Sequence, residues 1–300
     1  MQNKKFTQNV IALVYDFDGT LSPQPMQEYT VLPEIGIAPK DFWDEVSRQT
    51  RELEEEPMLA YMRLLVEKAD EKKVHVGRDE FRKLGKQVEY FPGVETWFDR
   101  VNQFVRDHSN NQIKVSHYIV SAGLKEIIEG VSIKKYFKQV YASEYHYDHH
   151  KVATFPKLLI TDTGKTQFLF RINKGKESLS QSINGHMAPG ARPIPFGNMI
   201  YIGDGETDVP SMTVTKTQGG NAIAVYRGGK TKKDLRTKEA CKTLLSANRV
   251  NFIAPADYSE GATLERRVHL LLKSIISRIE YEREVFSCRK ENELPIEQLA

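Results

Sequence analysis

Short apolar runs alternate with segments of helical periodicity along most of this chain. Apolar runs of strand length stand just before polar loops, and the stretches between them place apolar residues three and four positions apart. Strands that alternate with helices form parallel sheets with helices on both faces. The pattern therefore predicts an α/β fold, with strands at 11–15, 113–120, 140–142, 199–202, 222–225 and 251–253.

Residues 22–90 depart from this alternation. A Ser-Pro-Gln-Pro stretch at 22–25 breaks any regular element, and the segment that follows contains helical patterns without a convincing strand. We interpret it as a helical insert after the first strand, with helices at 41–53, 58–68 and 78–90. Outside the insert, the pattern predicts helices at 94–107, 124–128, 166–174 and 263–286, a hairpin within 145–162 and a loop at 175–197.

Composition narrows the class of protein. The chain has 300 residues, of which 40% are hydrophobic, and this is enough for a sizeable core. A net charge of +3 on a chain that is 28% charged argues for a soluble surface and against a nucleic-acid partner. Cys241 and Cys288 have no Cys-x-x-Cys companions, which favours a reducing compartment, and no apolar run is long enough to span a bilayer. We expect a cytoplasmic monomer or homodimer without membrane contact.

The first strand runs directly into two carboxylates, Asp16 and Asp18, followed by Gly19 and Thr20. Alternate side chains of an extended chain point the same way, so both acids project together from the end of the strand. Carboxylates held close together repel each other unless a cation lies between them or one keeps a proton. Alone, the stretch fits an acidic turn with a helix cap equally well, because Asp and Gly are ordinary turn residues.

Two later strands also end in residues that suit phosphate or metal binding. The carboxyl ends of parallel strands meet at one edge of the sheet, where α/β proteins bind their ligands. Because three strand ends converge there, a functional site is favoured over three unrelated turns. The additional residues are Ser121 and Gly123 after the strand at 113–120, and Asp204 and Asp208 after the strand at 199–202.

Together with Lys174, these residues resemble the four motifs of the haloacid dehalogenase superfamily, the aspartate-nucleophile phosphohydrolases. The motifs correspond, in the family's order, to residues 16–20, Ser121, Lys174 and residues 203–208. The insert resembles the cap of the phosphoserine-phosphatase-like branch. The resemblance, which covers roughly residues 10–258, implies a Rossmann-like α/β core at 1–21 and 91–300 and an inserted α-helical cap domain at 22–90.

The resemblance also implies a chemistry. The expected activity is a Mg²⁺-dependent phosphatase that hydrolyses a small phosphorylated metabolite through an aspartyl-phosphate intermediate. Asp16 is then the nucleophile, and Asp18 is the general acid and base. The carboxylates of Asp16 and Asp204 and the backbone carbonyl of Asp18 are the expected Mg²⁺ ligands. An Asp at position 18 is typical of the superfamily's phosphatases, whereas true dehalogenases lack it.

The remaining residues take supporting roles in this scheme. Ser121, the amide of Gly123 and Lys174 are expected to bind the phosphate, and Asp208 to orient Lys174 or a metal-bound water. Each side chain also has a structural alternative. Ser121 and Asp208, the latter just before Pro210, are candidate helix caps, and Lys174 is a candidate C-terminal lysine that meets the helix dipole.

Two other functions stay open at this point. One is a phosphotransferase or mutase of the same family, and the other is a non-catalytic phospholigand-binding protein that keeps the fold. The histidines at 146–150 are more typical of an exposed hairpin tip than of a second metal site, and the basic segment 227–242 is more typical of a solvated surface. Arg48 and Arg63 of the insert are candidate substrate contacts, with solvated arginines as the alternative.

Overall fold

A seven-stranded β-sheet forms the centre of the computed structural model, which describes residues 5–292. The strands are β1 (Val10–Tyr15), β2 (Lys114–Leu124), β3 (Phe137–Tyr147), β4 (Ala153–Leu158), β5 (Met199–Gly203), β6 (Asn221–Tyr226) and β7 (Phe252–Pro255). Their order across the sheet is β4-β3-β2-β1-β5-β6-β7, and every pair is parallel except β3 with β4. The predicted α/β fold with a largely parallel sheet is confirmed, and β1 lies at its centre.

Helices cover both faces of this sheet. Within residues 5–292, none of them combines the length and the apolarity needed to cross a membrane. They are α1 (Met26–Tyr29), α2 (Val31–Glu34), α3 (Pro39–Leu53), α4 (Pro57–Glu71), α5 (Arg78–Leu84), α6 (Val94–His108), α7 (Lys125–Ile128), α8 (Lys165–Lys174), α9 (Val209–Thr217), α10 (Lys232–Ser246) and α11 (Thr263–Glu291).

The alternation of side chains along β1 and β5 divides the core into two parts. Ile11, Leu13 and Tyr15 belong to a cluster that includes residues of α6, α11 and the helices after β1. Ala12 and Val14 belong to a second cluster on the opposite face, which includes Tyr201 of β5 and residues of α8 and α9. Successive residues of a strand point to opposite faces, so a strand buried on both sides is apolar throughout.

The helical segment after β1 packs directly on the sheet edge. The Tyr145 hydroxyl of β3 donates to the carbonyl oxygen of Met62 at 2.7 Å, and its ring stacks on Phe81 with a centroid distance of 5.8 Å. The Tyr61 hydroxyl of α4 donates to the carbonyl oxygen of Ala122 at 3.3 Å. The division into a core at 1–21 and 91–300 and a cap at 22–90 stays a prediction, and its outermost residues, 1–4 and 293–300, lie outside the described part of the chain.

Strand β2 extends further than the sequence pattern predicts. The predicted strand ends at residue 120, whereas the observed strand continues through Ser121 and Gly123 to Leu124. Ser, Ala and Gly have low strand propensity, but pairing with β3 overrides it, and Leu124 is opposite Ser143 after a local shift in register. Ser121 and Gly123 therefore lie in an irregular strand end and not in a free loop.

Candidate active site

The site is built around Asp16, which directly follows the central strand β1. Its backbone N–H donates to the carbonyl oxygen of Ile202 in β5 at 3.0 Å, so the end of β1 is joined to the end of the neighbouring strand. Asp18 turns towards α1, where its Oδ1 accepts a hydrogen bond from the backbone N–H of Met26 at 2.9 Å. The two acids predicted from the strand pattern therefore both lie at the carboxyl edge of the sheet.

Gly19 allows Asp204 to approach this turn closely. Its φ is +78°, in the left-handed region that favours glycine. A Cβ atom placed on Gly19 would lie 2.0 Å from Oδ2 of Asp204, so any side chain there would displace the carboxylate. The glycine is thus required both by its backbone conformation and by the space that Asp204 occupies.

Lys165, and not the predicted Lys174, reaches the acids. The Lys165 ammonium lies 3.1 Å from Oδ1 of Asp16 and 2.7 Å from Oδ1 of Asp208, and its side chain is only 1% exposed. The structure does not bring Lys174 to the acids: this lysine ends α8, and its ammonium donates to the carbonyl oxygens of Ile183 and Gly185, at 2.5 and 2.9 Å.

The direction of α8 is the signal that sequence reasoning missed. The helix feeds β5, and a parallel strand begins at the edge opposite the site, so the helix that leads to it must start near the site and run away from it. Its first residue, Lys165, is therefore the lysine nearer to the acids. The predicted helix began one residue later, at 166, and so left this lysine outside it.

Asp208 is fully buried and holds three groups together. Its Oδ1 accepts hydrogen bonds from the Lys165 ammonium and from the Tyr201 hydroxyl, both at 2.7 Å. Its Oδ2 accepts one from the backbone N–H of Asp204 at 3.1 Å. Asp208 therefore fixes the position of the lysine and of the chain at Asp204.

Ser121 and Gly123 lie at the end of β2, where Gly123 is beside Asp18. Ser121 is 1% exposed, and its Oγ accepts a hydrogen bond from the Gly123 N–H at 3.0 Å. A Cβ on Gly123 would lie 3.1 Å from Oδ2 of Asp18 and 2.2 Å from the Met26 side chain. The strand end is thus packed tightly against the turn that carries the acids, and the Ser121 hydroxyl keeps its own proton for donation.

Burial makes the negative charges at this edge costly. It raises the pKa of Asp16 to about 6, although the neighbouring Lys165 ammonium lowers it. Burial, followed by repulsion from Asp16, raises the pKa of Asp18 well above its ordinary value. Burial and then the charges of Asp208 and Asp16 do the same for Asp204. A bound cation or a retained proton would relieve the repulsion among these carboxylates.

A divalent cation suits this arrangement. One oxygen from each of Asp16, Asp204 and Asp208 lies within 4.8 Å of the other two. Carboxylate oxygens are the ligands that hard cations such as Mg²⁺ prefer. Since both oxygens of Asp208 already accept hydrogen bonds, Asp16 and Asp204 are the better candidates to bind the ion.

Fold and site together place a cluster of buried carboxylates at the ends of the central strands of an α/β sheet. The family of haloacid dehalogenase-like hydrolases matches residues 13–213, from β1 into α9. The chain therefore belongs to this hydrolase family, and the resemblance drawn from the motifs is confirmed.

Individual proteins are also similar to this chain in sequence or in fold. An uncharacterized protein of Borreliella burgdorferi is 27% identical over 281 residues, which cover 86% of this chain and 94% of that protein. A probable phosphoserine phosphatase from Vibrio cholerae has a similar structure, with a TM-score of 0.55, 12% identity and coverage of 94% of this chain and 69% of that one. A phosphoserine phosphatase solved as a phospho-aspartyl intermediate analogue gives a TM-score of 0.52, 14% identity and coverage of 87% and 98%. At these identities the solved structures show a shared fold.

Proposed function

We propose that this protein is a Mg²⁺-dependent phosphatase that hydrolyses a small phosphorylated metabolite through an aspartyl-phosphate on Asp16. The observation that carries the proposal is the buried Lys165 ammonium, 3.1 Å from the carboxylate of Asp16 at the carboxyl edge of the sheet. A phosphate ester is anionic and repels a carboxylate nucleophile, so a fixed cation beside the nucleophile suits phosphoryl transfer. Membership of a hydrolase family and the fold shared with phosphoserine phosphatases support the same reaction.

Asp16 performs the first step as nucleophile. One of its oxygens attacks phosphorus and the bond to the leaving oxygen breaks, which divides the displacement into two easier steps. The Lys165 ammonium offsets the charge on the phosphate oxygens, and the Ser121 hydroxyl donates to one of them. Gly123 contributes by keeping the strand end close to Asp18, since a side chain at that position would collide with Met26.

Asp18 serves as the general acid and then as the general base. Burial and the neighbouring charge of Asp16 raise the pKa of Asp18, which favours the protonated carboxyl group that the first step requires. It gives its proton to the leaving oxygen and takes one back from the water that hydrolyses the aspartyl-phosphate. The hydrogen bond from the Met26 N–H holds the carboxyl group at the base of the helical insert during both steps.

Asp16, Asp204 and the backbone carbonyl of Asp18 would hold the Mg²⁺ ion. When bound, the ion neutralises the carboxylates and draws the negatively charged phosphate towards Asp16. Asp208 remains outside this set and positions Lys165, which takes the place that the sequence assigned to Lys174.

The insert at 22–90 is the proposed cap domain, which excludes water and selects the substrate. Arg48 and Arg63 are weak candidates for substrate contacts, because both are engaged within the insert. Arg48 pairs with Glu45 and Glu52, and Arg63 pairs with Glu55 at 2.7 Å and Glu67 at 2.9 Å.

A phosphate-release screen over phosphorylated metabolites with Mg²⁺ tests this function. We expect the wild-type protein to hydrolyse at least one compound and Asp16→Asn to lose that activity while remaining folded by circular dichroism. Asp107→Asn, which changes an exposed carboxylate of α6, is the matched control and should keep full activity. No turnover of any compound, or an active Asp16→Asn protein, would count against the proposal.

A phosphotransferase of the same family is the second candidate, since it would use the same aspartyl-phosphate and differ only in the acceptor admitted. Incubation with a phosphate donor and with sugar or alcohol acceptors separates the two reactions. Transfer that outpaces phosphate release would replace the hydrolase assignment.

A further inference from the structure

Tyr201 is part of the buried network behind the site, outside the groups assigned to the reaction. It lies in β5, is fully buried, and belongs to the core cluster that contains residues of α8 and α9. In the sequence it is one residue of an apolar strand and carries no motif. In the structure its hydroxyl donates to Oδ1 of Asp208 at 2.7 Å, so this core residue also has a polar contact.

The oxygen that accepts from Tyr201 is the oxygen that holds the lysine. The Lys165 ammonium lies 2.7 Å from Oδ1 of Asp208 and 3.1 Å from Oδ1 of Asp16. The two donors therefore share one carboxylate oxygen, and the lysine is in turn shared between two carboxylates. Any change in the charge on Oδ1 of Asp208 alters how strongly Lys165 is drawn away from Asp16.

We propose that Tyr201 is a positioning residue that keeps Lys165 available to Asp16 and to the substrate phosphate. This role rests on the proposed phosphatase function. The phenol donates to Oδ1 and takes up part of its negative charge, so Asp208 holds the ammonium less tightly. Burial, followed by the charge of Asp208, raises the pKa of Tyr201 well above its ordinary value, so the phenol stays protonated and remains a donor.

Tyr201→Phe removes the donor and keeps the ring, and Tyr118→Phe is a matched control. Tyr118 is also fully buried, belongs to the same core cluster, and donates to a carboxylate oxygen of Glu177 at 2.8 Å. With p-nitrophenyl phosphate as the probe, we expect Tyr201→Phe to lower kcat/KM about 10-fold, the effect of losing one hydrogen bond to a charged group. Tyr118→Phe should stay within about twofold of wild type. Equal rates in the Tyr201→Phe and wild-type proteins would overturn the proposal.

A double-mutant cycle separates positioning from a purely structural effect. If Tyr201 acts through the lysine, Tyr201→Phe has no further effect on kcat/KM in a Lys165→Met background. Losses that multiply in the double variant would mean that the two residues act independently, and this would overturn the proposed role.

Affinity for inorganic phosphate, measured by calorimetry on the same proteins, gives a readout that does not depend on turnover. We expect Tyr201→Phe to bind phosphate more weakly than wild type. The double variant should bind phosphate no more weakly than Lys165→Met. A wild-type protein that binds phosphate but hydrolyses no ester would contradict the proposed function, and the phosphate affinities would then decide the role of Tyr201 alone. Equal phosphate affinities in wild type and Tyr201→Phe would overturn the proposed role of Tyr201.

Discussion

At the scale of single residues, the site depends on which lysine reaches Asp16. Lys165 and Lys174 begin and end the same helix, so their Cα atoms are separated by about 14 Å along its axis. Lys165 is enclosed between two carboxylates, whereas Lys174 holds backbone carbonyls of the segment that follows the helix. Lys165 thus lies among the proposed catalytic carboxylates, whereas Lys174 stabilises the local backbone.

Lys165→Met should lower kcat for p-nitrophenyl phosphate by at least about 100-fold, the cost of removing one preorganised charge from a phosphoryl-transfer site. Lys174→Met, the matched control at the other end of α8, should stay within about twofold of wild type. Because Lys165→Met leaves Asp16 and Asp208 buried without their cation, the folded fraction is measured by circular dichroism beside the rates. Equal losses in the two variants would contradict the assignment of Lys165.

The acids could be predicted from the local sequence pattern, whereas the choice between the two lysines needed the direction of their helix. Asp16, Asp18 and Asp204 each follow an apolar strand, and the carboxyl ends of parallel strands meet at one edge whatever the loops do. A lysine in a helix has no such marker. Its position depends on the direction in which the chain returns to β5, and the antiparallel strand β4 lies between β3 and that return.

His117 is a second residue whose surroundings change its chemistry, in this case the pKa of its imidazole. It is buried, its Nδ1 lies 3.1 Å from the Tyr15 hydroxyl, and its Nε2 lies 3.2 Å from Oδ1 of Asn102. An amide oxygen only accepts, so Nε2 carries the proton, and Nδ1 accepts from Tyr15, which in turn accepts from Trp97 at 2.9 Å. Burial lowers the pKa of His117 to about 3, although the charge of Asp99 opposes it.

This pKa predicts a loss of stability in acid. Between about pH 6.5 and pH 3 the unfolded chain binds a proton at His117 and the folded chain does not. The contribution of the neutral imidazole to the free energy of unfolding is therefore complete above pH 6.5 and decreases below it. We expect wild type to lose about 2 kcal/mol of unfolding free energy between pH 7 and pH 5 relative to His117→Gln, which does not titrate. Urea denaturation at both pH values measures these free energies. An equal loss of unfolding free energy in wild type and His117→Gln would contradict the prediction.

At the scale of elements, the helical insert contacts the core where α5 packs against α7. A Cβ atom on Gly130, just after α7, would lie 1.8 Å from the carbonyl oxygen of Arg82 in α5. A Cβ on Gly85 would lie 2.3 Å from the carbonyl oxygen of Ile127. The two segments are therefore in backbone contact, and a pair between Arg82 and Glu129, 3.0 Å apart, spans the same interface.

Gly130→Ala should lower the unfolding free energy by about 1–3 kcal/mol, because the added methyl group meets backbone and forces the two helices apart. Gly190→Ala is the control, since a Cβ there would have nothing within 4 Å. Urea denaturation of both variants checks the prediction. A Gly130→Ala protein as stable as Gly190→Ala would show that the α5–α7 contact is looser than described.

The contact also shows which features of an element the sequence pattern leaves undetermined. Helical periodicity predicts a helix at 78–90, because apolar positions repeat along it, and the observed helix α5 covers 78–84 of that range. The periodicity does not predict which helix packs against α5, since that depends on small residues brought together from distant parts of the chain. The same limit applies to β2, where pairing with β3 carries the strand past Ser121.

At the scale of the whole molecule, the buried acids at the centre of the sheet act against folding unless their charge is balanced. Burial and the neighbouring carboxylates raise the pKa values of Asp18 and Asp204, and Lys165 is the cation that contacts Asp16 and Asp208. A cation that binds only the folded chain stabilises it by mass action, by about 2.7 kcal/mol at 100 times its Kd. Folding and metal binding should therefore be coupled in this protein.

Thermal unfolding with and without Mg²⁺ measures this coupling directly. We expect the Tm of wild type to rise by about 5 °C at saturating Mg²⁺ and to return on addition of EDTA. Asp204→Asn should lose most of this rise, because it removes a charged oxygen ligand next to Gly19, while Asp44→Asn, which changes an exposed carboxylate of α3, should keep it. An equal rise in Tm in the two variants would mean that Mg²⁺ acts on the surface charges and not at the strand ends. This result would contradict the proposed Mg²⁺ site.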